Sequence, residues 1–264
     1  MTYLYWFTKY AWSDKIRKTD WLFKSGDLLK LWEDYYLVLW KDVSFAEQYV
    51  YEIREDMSKY QIVEKKLVNK KTLEFIHWMV YRRYTPYYNV VPKLFLPAEI
   101  DKLIDRKITG KKVQLNKGGL PAGRQGRVDI SLAPFSKGVE GDLDSKNISL
   151  SPEWQSLIVF PDLRTLMNII DEKFMSQAWV DTLLSSNTQN QKDKSWRNIK
   201  NWNTNIILAT HSEIFQDYKN LKKIVIIRPN KRYYANQQDP RYKTLDVVKR
   251  LAEIRNCGLE LIEN

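Results

Sequence analysis

The chain has 264 residues, 44% of them apolar, and carries 43 lysines and arginines against 32 aspartates and glutamates, a formal net charge of +11. That length and apolar content suffice for one large or two small packed cores and exclude disorder as the default. The single cysteine, Cys257, excludes an internal disulfide framework and a cysteine-based zinc site, which points to a reducing cytoplasm.

The charge favours a polyanionic partner such as nucleic acid, although a basic surface also serves plain solubility. Residues 1–10 are apolar only briefly before charges appear, so neither a secretory signal nor a membrane span is expected there. Short aromatic-rich runs follow. Residues 3–7, 21–23, 28–32, 35–40 and 48–53 read as strands, with turn signals at Lys24-Ser25-Gly26-Asp27 and at Glu33-Asp34. Five of the ten tryptophans (Trp6, Trp12, Trp21, Trp32, Trp40) lie in this small, mostly antiparallel unit, more than such a sheet buries. Exposed rings beside lysine and arginine suit unpaired bases or a protein partner.

Between Thr72 and Val91, apolar residues recur at helical spacing (Leu73, Phe75, Ile76, Met79, Val80, Tyr84), with Thr72 as candidate cap and Pro86 as the limit. Arg82 and Arg83 near its end either offset the helix dipole or touch phosphate. His77 on this helix reads as an ordinary hydrogen-bonded or solvated histidine.

Seven of the nine glycines fall between residues 98 and 149, the mark of a long flexible connection. The segment from Gly118 to Gly126 looks like a translated repeat element and reads as an insertion. A phosphate loop needs Gly-x-x-x-x-Gly-Lys followed by Ser or Thr. Here Gly110-Lys111 is followed by Lys112, with Asp105 at the first glycine position, and Gly126 is followed by Arg127. No bound nucleotide, cofactor or metal is expected, since His77 and His211 lie far apart without a third ligand pattern.

From residue 151 the pattern becomes regular. A strand over 156–160 ends at Pro161-Asp162, and helical spacing runs through Leu166, Ile169, Ile170 and Phe174. A strand over 178–184, a polar helix over 190–201 capped by Ser185 or Ser186, and buried strands over 206–209 and 224–227 follow. A helix over 244–256 and a last strand over 259–262 complete the series. Strands alternating with helices through short links indicate βαβ units and a parallel sheet.

Thr210, Ser212, Phe215, Asn220, Leu221, Tyr234, Gln237, Arg241, Tyr242 and Asp246 fall without a gap into one family's pattern. That pattern is a strand ending in Thr-Arg-Ser-Ala-Leu-Phe, then Asn-Leu, an apolar strand, Asp-Glu-Glu-His, an aromatic-rich loop and Arg-Tyr-His-Ala-Arg-Asp. The chain thus resembles the family of primosomal protein N′, the replication-restart DNA helicase. Upstream, Asp162 takes the last position of the family's Val-Pro-Glu, Ser185 and Trp196 fit, and Leu184 replaces a histidine. Trp78 and Tyr84 take the Trp and Tyr positions of its Trp-x-Ala-x-Tyr-Tyr helix. Lys24-Ser25-Gly26 and the run 28–32 resemble the Gly-led basic strand of its 3′-end-binding domain, whose Pro-Phe-Gly turn is replaced by Trp32, Glu33 and Asp34. The likeness spans residues 20–100 and 154–257.

The resemblance implies an α/β fold: an incomplete RecA-like, P-loop NTPase-type parallel sheet lobe over 151–264. Ahead of it come a mostly-β N-terminal domain with a helix over 1–100 and a Gly-rich linker or insertion over 101–150. The departure is as specific. Ile227, Arg228, Pro229 and Asn230 occupy the Asp-Glu-Glu-His positions, and the chain stops where the family's next motif and second lobe would begin. Without acids to hold Mg²⁺ and orient water, no ATPase is expected.

DNA contact is what the resemblance leaves. Thr210 and Ser212 keep hydroxyls at a strand end that touches the DNA backbone in the family, and His211 replaces an arginine. Arg232, Tyr233, Tyr234, Arg241 and Tyr242 form the aromatic-rich basic loop, which reads equally as a solvated turn with its rings packed on the lobe. Lys24, Arg82 and Arg83 complete the candidate nucleic-acid set. The expectation is a non-catalytic adaptor of replication or repair in the cytoplasm, off the membrane. Its expected partners are forked or single-stranded DNA and other replication-restart proteins; the alternative is a protein-interaction module that keeps the fold and has lost DNA.

Overall fold

The computed structural model describes residues 2–7, 16–41, 51–52, 57–81, 90–97, 128–131, 147–151, 153–236 and 240–263. The chain divides into two compact units, Met1–Thr109 and Gly110–Asn264. It is mixed α/β, with an antiparallel sheet in the first unit and a parallel five-stranded sheet in the second.

The first unit is built on strands β1 (Thr2–Phe7), β2 (Ile16–Thr19), β3 (Leu28–Leu31), β4 (Asp34–Lys41), β5 (Tyr51–Glu52) and β6 (Gln61–Glu64), in the order β5-β2-β1-β4-β3-β6. All neighbours are antiparallel except β2 and β5. Helices α1 (Lys70–Tyr81) and α2 (Val90–Phe95) follow, with Phe75 edge-on to Phe95 at 5.4 Å. The turn at Gly26 is required by geometry: its φ is +91°, and a Cβ there would meet the Val68 carbonyl oxygen at 2.4 Å.

Several expectations for this unit need correction. Residues 21–23 form no strand, and Trp32 lies in the turn between β3 and β4. The cap of α1 is Asn69, whose Oδ1 accepts from the Thr72 amide at 3.0 Å, and Thr72 is already inside the helix. Arg82, Arg83 and Pro86 lie outside the described residues. His77 is half-buried, and that burial lowers its pKa, favouring the neutral ring.

The second unit carries a hairpin of β7 (Val128–Ser131) and β8 (Asn147–Leu150), so part of the stretch expected to be linker is paired structure. Its sheet consists of β9 (Gln155–Phe160), β10 (Val180–Leu183), β11 (Ile206–Thr210), β12 (Leu221–Ile227) and β15 (Gly258–Ile262), all parallel, in the order β10-β11-β9-β12-β15. A small antiparallel pair, β13 (Ala235–Asn236) and β14 (Tyr242–Lys243), lies between β12 and β15 in the chain. Every residue of β9 and β11 is buried, which is why these strands read as apolar runs rather than alternations.

Four helices connect the sheet: α3 (Leu163–Ile169), α4 (Glu172–Met175), α5 (Gln189–Asn201) and α6 (Thr244–Arg255). The single helix expected over 163–174 is two, because Ile170 is extended and Asp171 caps a new turn through the Lys173 amide. Thr188, not Ser185 or Ser186, caps α5 in a reciprocal capping box with Gln191. Leu166 and Ile169 of α3 pack with Ile158, Phe160, Leu208, Val225 and Ile262 on one face of the sheet, joined there by Ile148 and Leu150 of the hairpin. The connection from β9 to β10 runs one way along the sheet, while those through α5 and α6 run the other, so right-handed crossovers put α5 and α6 on the opposite face.

Candidate nucleic-acid interface

Because the connections leave β9 and β12 in opposite directions, the carboxyl ends of these adjacent strands form a topological switch point, where open α/β sheets place their ligands. After β9, Pro161 is buried and Asp162 caps α3: one carboxylate oxygen accepts from the Thr165 amide at 2.7 Å, the other from the Thr165 hydroxyl at 3.1 Å. After β12, Arg228 takes a left-handed φ of 55°, and its amide donates to the Ile262 carbonyl at 2.6 Å.

A tyrosine occupies the crevice. Tyr234, on the short turn Arg232–Tyr234, is buried, with its hydroxyl 2.6 Å from the Ile227 carbonyl oxygen and 2.9 Å from that of Val159. Burial drives its pKa far up, and the Asp162 carboxylate adds to the shift. The His211 ring meets Tyr234 edge-on at 6.3 Å between centroids, and His211 Nδ1 lies 3.1 Å from the Pro161 carbonyl oxygen.

The sheet gathers most of the residues singled out in the sequence. Thr210, His211, Ser212, Arg232, Tyr234, Arg241 and Tyr242 all follow or end a strand at this carboxyl end. Lys24 is exposed beside the Gly26 turn of the first unit, Arg82 and Arg83 are outside the described residues, and so is the Tyr233 side chain. Thr210 is buried and its hydroxyl has no hydrogen-bond partner among the described residues. The Ser212 hydroxyl donates to Glu213 at 3.4 Å, and Glu213 pairs with Lys192 at 3.0 Å.

Of the two readings of the loop, stacking rings or rings packed on the lobe, two tyrosines take the packed one. Tyr234 and Tyr242 are each only 5% exposed, and Tyr242 packs edge-on against Phe215 at 5.3 Å. Rings closed off from solvent offer no face to a base, so in this conformation both are packing residues. Burial, with the Glu213 carboxylate behind it, also raises the Tyr242 pKa.

What remains open to solvent at this end is charge. Lys231, Arg232, Arg241 and Lys243 are exposed, as is Arg164 at the start of α3. Arg164, Lys231 and Lys243 were not among the sequence candidates; the signal that finds them is their place after β9 (Arg164) and in the segment linking β12 to α6 (Lys231, Lys243). Helices α3, α5 and α6 also begin at this end, so their partial positive charges add to the side-chain cations. Asp162, Glu213 and Asp246 are the acids set among them, two of them engaged as described.

The four positions that carry acids and histidine in the resembled family look different here. The Ile227 side chain is in the apolar cluster on the α3 face, Arg228 is half-buried, Pro229 is buried and Asn230 is exposed. Among the described residues, no group of three or more histidine, cysteine, aspartate or glutamate side chains could hold a metal ion, and no helix is long and apolar enough to cross a membrane. No protein-family model matches the chain, and no curated protein matches it significantly.

Proposed function

We propose that the chain is a non-catalytic DNA-binding protein, its second unit an incomplete RecA-like lobe and its first a β domain related to the one that holds DNA 3′ ends in the replication-restart helicases. The observation that carries the reading is the carboxyl end of the parallel sheet, where Lys231, Arg232, Lys243 and Arg164 are exposed, Arg164 in the first turn of α3 and Lys243 at the start of α6. Phosphate oxygens are the groups such an arrangement attracts. Loss of nucleotide chemistry fits the same end: Tyr234 fills the switch-point crevice, and Ile227 and Arg228 offer a hydrocarbon and a cation in place of Mg²⁺ ligands.

Forked and single-stranded DNA are the substrates to try, with other replication-restart proteins as further partners in an adaptor role. Anisotropy of a labelled fork, titrated across a salt series, tests this. The expected result is binding that weakens steeply as salt rises, because bound phosphates release counterions. Lys231→Glu with Arg232→Glu should flatten the salt slope by about two. Absence of binding at low salt sinks the proposal, and DNA-stimulated ATP turnover abolished by a substitution in this chain sinks its non-catalytic part.

The second reading, a protein-interaction module without DNA contact, is favoured by the exposed Trp21, Leu22, Trp32 and Ile62 of the first unit. If it holds, the fork titration stays flat while the charge reversals change nothing.

A further inference from the structure

We infer that the first turn of α6 is a phosphate-binding site, the point at which a DNA backbone or a phosphorylated DNA end is held. The inference rests on the DNA-binding reading above and names one contact within it.

By helix geometry the amides of Thr244, Leu245 and Asp246 have no acceptor inside α6, and Lys243, the N-cap, supplies none from its side chain. At the same end of the sheet, Asp162 and Thr188 each occupy a first-turn amide of α3 and α5. Of the three helices that begin there, α6 is the one whose donors are left to a ligand.

A second observation, independent of the backbone, points the same way. Thr244, the first residue of α6, is fully buried, and its hydroxyl has no hydrogen-bond partner among the described residues. A hydroxyl shut away from water without a partner is costly. Helical side chains lean toward the N-terminus of their helix, so this hydroxyl belongs to the same end as the uncapped amides. A group that accepts from both removes the deficit, and an oxyanion carries the lone pairs to do so.

The charge around the turn decides the sign of that group. Strands β13 and β14 pair antiparallel with Ala235 opposite Lys243, which sets Tyr234, and with it the turn Arg232–Tyr234, alongside the start of α6. Lys231, Arg232 and Lys243 are exposed there, and Asp246 is the exposed acid of the turn. Glu213, which lies toward Tyr242, is paired with Lys192 at 3.0 Å. Three cations against one unpaired acid, added to the positive end of the helix dipole, select an anion. Tetrahedral phosphate oxygens can meet helix amides, a hydroxyl and a flanking ammonium at once.

Amide NMR on the full chain tests this. Inorganic phosphate is titrated at low salt against sodium chloride of equal ionic strength, followed by forked DNA and by oligothymidylate with and without a 5′-phosphate. Phosphate, and not chloride, should shift the Leu245 and Asp246 amides. Thr244→Val keeps the shape and loses the hydroxyl, so it should weaken phosphate binding about fivefold, the worth of one hydrogen bond. Its melting midpoint should stay or rise, because an unsatisfied buried group is gone. Lys243→Gln should lower the salt slope of fork binding by about one. Tighter binding of the 5′-phosphorylated oligomer assigns the site to a strand end, and equal binding assigns it to the backbone. Fork binding that leaves these amides unmoved and is unchanged by Thr244→Val overturns the inference and spares the DNA-binding reading. Phosphate shifts at these amides without any DNA binding sink that reading and leave the site to a free phosphate ester. A lowered midpoint in Thr244→Val would show that the hydroxyl is already satisfied in the free chain, which also overturns the inference.

Discussion

The hydroxyl of Tyr234 lies 2.6 Å from the carbonyl oxygen of Ile227, at the end of the strand that in the resembled family leads into the metal-binding acids. The same hydroxyl reaches the Val159 carbonyl at 2.9 Å, so one phenol closes the gap between the carboxyl ends of two adjacent parallel strands. A crevice that commonly receives a ligand is filled here by the chain itself.

Removing only that hydroxyl measures how much the closure contributes. Tyr234→Phe keeps the ring and removes the single donor that the Ile227 and Val159 carbonyls share, which should cost about 1–2 kcal/mol. Urea unfolding should show a lower midpoint with an unchanged slope. An unchanged midpoint would mean that water replaces the phenol without loss and that the crevice is not sealed.

Alkaline pH provides a second handle on the same ring. Burial raises the pKa of Tyr5, Tyr218, Tyr234 and Tyr242, in Tyr234 with help from Asp162 and in Tyr242 from Glu213. A raised phenol pKa means that the folded state holds its proton where the unfolded state has lost it. The associated stability is therefore complete below the unfolded value of about 10 and falls as pH rises above it. Of the 16 tyrosines, these four should contribute their tyrosinate absorbance only together with the loss of circular dichroism signal, above about pH 10. Smooth ionisation of all tyrosines with the fold intact would contradict the burial of these four.

Placing the resembled family's acids at Ile227 and Arg228 should not produce an ATPase. The Ile227 side chain is 2% exposed among Phe160, Leu208, Val225 and Ile262, so Ile227→Asp places a carboxylate in hydrocarbon. Combined with Arg228→Glu, it should destabilise the fold by on the order of 4 kcal/mol and give no DNA-stimulated turnover. A folded, hydrolysing double variant would contradict both the cost assigned to burying the carboxylate and the non-catalytic reading.

The parallel sheet was legible because its central strands β9 and β11 are buried on both faces. Runs such as Ile206–Thr210 stand out as unbroken apolar segments, and the short helices between them fix the connection type. Features decided by single backbone torsions were not. Periodicity carried one helix through Ile170 and Asp171, where the chain turns extended and restarts. Asn69 and Thr188 do the capping that nearby hydroxyl residues seemed equally able to do, since a cap is selected by where the first helical amides point. Four-residue strands in Gly-rich surroundings, such as Val128–Ser131, carry too little pattern to separate from linker. At the carboxyl end, sequence pointed to residues that the sheet brings together, but could not tell which way a tyrosine faces, because the residue suits both a core and a stacking surface.

A buried amide at the opposite end of the sheet provides the sharpest test of the fold. Gln155 begins the central strand β9 and is fully buried. Its Nε2 donates to the carbonyls of Ile199 at 2.7 Å and Thr204 at 3.2 Å, and its Oε1 accepts from the amides of Lys219 at 2.9 Å and Asn220 at 2.8 Å. One side chain thus ties the end of α5 and the segments entering β11 and β12 to the middle strand, with both donors and the acceptor oxygen in use. Gln155→Ala removes four hydrogen bonds, leaving the Ile199 carbonyl with the Trp202 amide as donor, and should cost about 3 kcal/mol. Gln155→Glu should be no better at neutral pH, since a carboxylate oxygen then faces two carbonyls. Burial among acceptors raises the pKa of that new carboxyl, so as pH falls through the raised value the protonated acid regains a donor and stability recovers. The alanine variant has no group to protonate there and should show no such recovery. Parallel urea midpoints for the two variants from neutral to mildly acidic pH decide the point: equal pH profiles would mean that the amide does not bridge these segments.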